Sequence, residues 1–246
     1  MCRMFFQCAK QPFNINLHFL KKFVSTCHRQ YLRKYNLFGH HNLGWGFAYI
    51  SQDDGRLIIK RDITPIYQAD WKGLSQIKTR FLLVHARKAH PWNKSFKNLH
   101  PINIGENYQI VHNGVIKSES FGKLNDANLE KIRKDTMLDT RRYLCYITDK
   151  LKNGINLKNS LEEIFRTIEI GAGANAFLFN AKECNVITHH NDNFNGRHHT
   201  LFIKKSMECI NVCTTPILNS AVEISNNSLI QIDLNNFDMK FSRLDI

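Results

Sequence analysis

Two blocks of short strand-like runs, separated by a helical block, constrain this chain more than any other feature. From Gly44 the sequence reads GWGFAYI, then RLIIKR after the turn signal Asp54-Gly55, then FLLVHAR and YQIVHNGVI, all runs expected of strands. Asp126 to Lys152 changes to three- and four-residue spacing through Leu129, Ile132, Leu138, Tyr143, Leu144, Ile147 and Leu151, which predicts a helix. Leu157 to Ile168 predicts another, through Leu161, Ile164, Phe165 and Ile168. Strand-like runs then resume as ANAFLFN, CNVITHH, TLFIKK, CINVCTT and SLIQIDL, with Asn- and Gly-rich turns between them. Earlier, after a short apolar start, Asn16 to Tyr35 carries Leu17, Leu20, Phe23, Val24, Cys27, Tyr31 and Tyr35 at helical steps with Lys and Arg outside, and predicts one amphipathic helix. Strands on both sides of a helical block favour an α+β sandwich in which helices cover two stacked sheets, although order alone permits other layered arrangements.

No repeat or linker interrupts the series, so residues 1–246 are expected to form a single domain, a size that supports a proper core. No run approaches the roughly 18 apolar residues of a membrane span, and MCRMFFQCAKQPF lacks the apolar core of a secretory signal, so a cytoplasmic protein without membrane contact is expected. Seven cysteines without zinc-ribbon spacing indicate neither a disulfide framework nor a structural metal. The formal net charge of +13 raises the prior for an acidic partner. Its basic residues are spread along the chain without an arginine-rich tail or an aromatic-basic ladder, so they read as solvated helix faces and nucleic acid is not an expected partner.

Cys2 follows the initiator position and is small enough for Met1 to be removed, which would leave a thiol beside a free α-amine. A free α-amine has a pKa of about 7.7–8.0 and a free thiol about 8.5, so nucleophile and base can share one residue. Position alone is weak support. It is strengthened by a series of short motifs in a definite order: MCRMF at the start, GWGFAY at 44–49, LLVHARKA at 82–89, LHP at 99–101, VHNGVI at 111–116 and KDTMLDT at 134–140. Taken together these resemble the glutamine-hydrolysing domain of class II amidotransferases, which are N-terminal nucleophile hydrolases. The resemblance covers roughly the first 140 residues, with TTPI at 214–217 and SLIQIDL at 228–234 as a fainter continuation.

The resemblance implies a four-layer αββα sandwich, no cofactor, and hydrolysis of the glutamine side-chain amide to glutamate and ammonia through a Cys2 thioester. By the same match Arg87 holds the substrate α-carboxylate, for which a guanidinium fork is suited. Asn113 and Gly114 would form the oxyanion hole, where one donor is typically worth about 2.7–4 kcal/mol; by itself Asn-Gly is also a hairpin-turn signal. Asp135 would bind the α-ammonium group, completing a clamp for a free amino acid. The family commonly has Ser before this Asp and an acid two places after it, whereas Lys134 and Met137 stand here, so Asp139 is the alternative; an Asp before an apolar helix also serves as an N-cap. Trp45 and Gly46 are expected to shape the floor near Cys2, the glycine allowing close backbone approach. His112 is expected to line the pocket, with His85 and His100 as weaker candidates. The pairs His40-His41, His189-His190 and His198-His199 are assigned no metal, because adjacent strand residues face opposite ways.

Larger members of that family pass ammonia to a synthetase domain. The 246 residues leave no room for one, which points to a separate ammonia-accepting subunit or an amide substrate of the protein's own. Two alternatives stay open: a γ-glutamyl or other small-amide hydrolase on the same fold, and a basic binding module on an inactive scaffold.

Overall fold

The computed structural model describes residues 2–34, 40–89, 94–105, 107–191 and 198–246. Met1 and Tyr35 lie outside the described residues. The apolar start of the chain forms β1 (Arg3–Asn14), a strand that the sequence pattern does not reveal. Its alternation is masked because both faces are buried: Met4, Phe6 and Cys8 enter one core, Phe5 another.

In chain order the remaining strands are β2 (Trp45–Ile50), β3 (Leu57–Asp62), β4 (Lys78–Ala86), β5 (Ile102–Asn103), β6 (Gln109–Ile116), β7 (Ile170–Phe179), β8 (Glu183–Thr188), β9 (Phe202–Lys205), β10 (Cys209–Cys213), β11 (Val222–Glu223), β12 (Ser228–Asp233) and β13 (Met239–Arg243). The helices are α1 (Leu17–Thr26), α2 (Arg29–Lys34), α3 (Ala127–Lys134), α4 (Asp139–Lys152) and α5 (Leu157–Thr167). One sheet has the order β11-β9-β10-β1-β4-β2-β3 and the other β13-β12-β8-β7-β6-β5.

Three cores fix the layering. Met4, Phe6, Phe81 and Leu83 of the first sheet pack on Val111, Phe177, Val186 and Ile230 of the second. The Phe6 ring lies 5.6 Å from Phe81 and 5.8 Å from Phe177, and burying each such ring is worth about 1.5–3 kcal/mol. On the outer face of the second sheet, Ile110, Ala174, Leu178 and Leu229 meet Tyr143, Leu144, Ile147, Leu161 and Phe165 of α4 and α5. On the outer face of the first, Leu20, Phe23 and Val24 of α1 cover Phe5, Trp45, Val84 and Ala86. The result is the αββα sandwich.

Two expected helices are each broken in two. Cys27 closes α1 before α2 begins. Asp135 closes α3, and α4 begins only at Asp139, after an extended Leu138. The six-residue step from Ile132 to Leu138 cannot stay on one helical face, and the chain uses it to turn.

Candidate functional site

Paired strands bring the first motif residues together. β1 runs antiparallel to β4 with Arg3 opposite Ala86, so one further step places Cys2 across from Arg87. The segment just before β2 holds the backbone there, since the Arg87 amide donates to Gly44 O at 2.9 Å and Arg87 O accepts from the Leu43 amide at 3.3 Å. From the second sheet, β6 contributes Gly114, Val115 and Ile116, and α4 contributes its first residues. Cys2, Arg87, Lys88, His100, His112, Gly114, Asp139 and Thr140 line one cavity of about 470 Å³. Cys2 is 8% exposed, and its thiol lies 3.6 Å from Lys88 O. Arg87 is buried at 3% exposure. Burial lowers its pKa from the ordinary arginine value, and the nearby Cys2 and Asp139 act against that shift.

Asp139 is anchored rather than mobile. Its Oδ1 accepts from the Thr140 amide at 2.7 Å and its Oδ2 from the Ile116 amide at 3.1 Å, tying the start of α4 to the end of β6. A carboxylate in the first turn also suits the positive end of a helix. Beneath it lie buried imidazoles. His112 Nδ1 is 3.1 Å from Thr140 Oγ1 and 3.9 Å from Asp139 Oδ2, His100 Nε2 is 3.0 Å from the same hydroxyl, and the His85 and His100 rings stack at 4.2 Å. Thr140, inside the quoted KDTMLDT, and Lys88, inside LLVHARKA, are site residues that the sequence pattern does not single out.

The other expected site residues are placed differently. Asp135 is exposed at the C-terminal end of α3, where it is a C-cap rather than an N-cap, and lines a separate depression with Ser95, Thr136 and Arg141. Trp45 lies in the core under α1, stacked on Phe47 at 5.3 Å, and does not line the Cys2 cavity. A Cβ on Gly46 would meet His100 O at 2.1 Å, so the backbone that closes on this glycine is that of residue 100 rather than that of Cys2. Asn113 and Gly114 are not a turn: they pair with Asn175 and Ala174 within β6 and β7. The Asn113 side chain is fully buried, with Nδ2 donating to His198 O at 3.1 Å and Oδ1 lacking a hydrogen-bond partner among the described residues.

Buried imidazoles make the fold acid-sensitive. Burial lowers the pKa of His85 and of His199 from the ordinary 6.5 to about 3. His100 is driven well below its ordinary value for the same reason. Between about 6.5 and 3 the unfolded chain binds protons that the folded one does not, so their contribution is complete above the upper value and is lost as pH falls toward the lower. His85 and His199 should each remove up to about 1.4 kcal/mol per pH unit in that window. Urea midpoints at pH 7.5 and 5 are expected to show a clear loss at the lower pH; equal midpoints would mean that these rings are not buried neutral.

No family model and no curated protein matches the sequence. Solved structures do match its fold. The glutamine phosphoribosylpyrophosphate amidotransferase from B. subtilis complexed with ADP and GMP has a TM-score of 0.65 at 16% identity, over 100% of this chain and 50% of that one. An allosteric regulatory enzyme of purine biosynthesis gives 0.68 at 15% identity, over 100% and 49%. A glutamine aminotransferase class-II domain protein from Silicibacter pomeroyi gives 0.60 at 11% identity, over 99% of both chains. The chain thus spans about half the length of the first two and nearly all of the third. Its fold is that of class II glutamine amidotransferase domains, the αββα sandwich of N-terminal nucleophile hydrolases.

Proposed function

We propose that this chain hydrolyses the side-chain amide of glutamine as a class II amidotransferase domain, with Cys2 as nucleophile once Met1 has been removed. One observation carries the reading: Cys2, Arg87, Gly114 and Asp139 face a single cavity, although they come from both sheets and a helix. Arg87 takes the α-carboxylate and Asp139, rather than Asp135, the α-ammonium group, because only Asp139 shares the cavity with Cys2.

The α-amine of Cys2 accepts the thiol proton, and sulfur attacks the amide carbon. The Gly114 amide and the Asn113 side chain stabilise the oxyanion, for which Asn113 exchanges its bond to His198 O. The C–N bond then breaks, ammonia leaves with the proton from the amine, and water releases glutamate from the thioester.

Purified protein whose intact mass confirms loss of Met1 should release glutamate and ammonia from glutamine, alone or with an ammonia-accepting partner. A glutamine-like electrophile should label Cys2. Absence of both turnover and labelling would defeat the reading. Asp139→Asn is expected to raise KM for glutamine about 100-fold, since a charged partner of the ammonium is lost, whereas Asp135→Asn should leave it within about twofold. The reverse order would return the role to Asp135.

A further inference from the structure

The hydrogen bonds beneath the cavity have a fixed direction. Gly173 O can only accept, so the His112 Nε2 that lies 3.2 Å from it carries a proton. His100 Nδ1 is buried with no hydrogen-bond partner among the described residues, so the proton of that ring belongs on Nε2, which donates to Thr140 Oγ1 at 3.0 Å. The hydroxyl then has one proton to give, and two acceptors compete for it: His112 Nδ1 at 3.1 Å and Asp139 Oδ1 at 3.4 Å. Thr140 is 2% exposed, so water does not replace either partner readily.

From this arrangement we infer that the Thr140 side chain is a positioning residue: accepting from His100 and sharing its one proton between His112 Nδ1 and Asp139 Oδ1, its hydroxyl works with the Thr140 and Ile116 amides to hold the Asp139 carboxylate at the wall of the substrate cavity. The inference rests on the glutamine-binding role given to Asp139, and it assigns to Thr140 no contact with reacting atoms. The methyl group of the same side chain fills space; the hydroxyl sets direction. The two contributions separate cleanly by substitution, because Val keeps the shape and Ser keeps the hydroxyl.

Thr140→Val is expected to raise KM for glutamine about tenfold with kcat changed less than about twofold, and Thr140→Ser to restore KM to within about twofold of wild type. Long-range ¹H–¹⁵N spectra of histidine-labelled protein should show protons on Nε2 of both His100 and His112 in wild type, and a changed His112 Nδ1 shift in Thr140→Val but not in Thr140→Ser. An unchanged KM in Thr140→Val, or a serine variant as impaired as the valine one, would overturn the inference. So would a wild-type spectrum with the His100 proton on Nδ1. Wild-type protein inert toward glutamine but with both Nε2 protons in place would instead overturn the function proposed above, leaving the hydroxyl's hold on the two rings intact.

Discussion

Cys2→Ala is expected to lower glutamine turnover by about 10⁴-fold or more while shifting the melting temperature by no more than about 4 °C. Both halves follow from where the residue stands. Cys2 precedes β1 and faces the cavity, so its side chain contributes little to the inter-sheet core built from Met4, Phe6 and Phe81. The reaction, by contrast, has no other thiol to fall back on. Burial raises the pKa of all six remaining cysteines, taking Cys27 to about 12 and Cys145 to about 11, and Cys8, Cys184, Cys209 and Cys213 move in the same direction. A thiol held protonated in an apolar core is a poor nucleophile. Labelling with a glutamine-like electrophile, read by peptide mass, should therefore concentrate at Cys2 and vanish in the alanine variant. Turnover that survives the substitution would remove sulfur chemistry from the reaction.

Legibility before folding depends on whether a residue's neighbours in space are also its neighbours in sequence. β4 and β6 are legible because each gathers strand-forming apolar residues in one short run, FLLV in β4 and the IV and VI pairs in β6, and with them comes the placement of Arg87 and Gly114. β1 is not, since its two buried faces give Met4, Phe5 and Phe6 in succession, without the alternation that betrays a half-exposed strand. The ammonium partner shows the limit more sharply. KDTMLDT contains Asp-Thr twice, four residues apart, and local pattern alone cannot choose between them. Under the proposed function the choice rests on the turn between α3 and α4, which leaves Asp135 exposed and lets Asp139 reach the Ile116 amide of β6 at 3.1 Å. Trp45 fails for the opposite reason: its motif is matched, but alternation along β2 points its ring to the α1 side of the sheet.

Gly114→Ala is expected to cost at least about 3 kcal/mol, visible as a melting temperature lowered by about 6–12 °C, whereas Gly73→Ala should change stability by less than about 0.5 kcal/mol. A Cβ on Gly114 would lie 1.7 Å from Gly173 O and 2.2 Å from Gly173 C, with His112 Nε2 at 2.9 Å. Two of those atoms are backbone of β7, so relief requires β6 and β7 to separate, and with them the sheet that carries the cavity wall. At Gly73 an added Cβ meets nothing within 4 Å. Scanning calorimetry on the two variants decides the matter, and a Gly114→Ala protein as stable as wild type would show that the strands do not approach as closely as described. The same contact explains why this glycine is a poor probe of the oxyanion hole: its substitution would remove activity through the fold. Asn113 is the better probe, because among the described residues its side chain is held by one hydrogen bond, to His198 O, and can be altered without driving two strands apart.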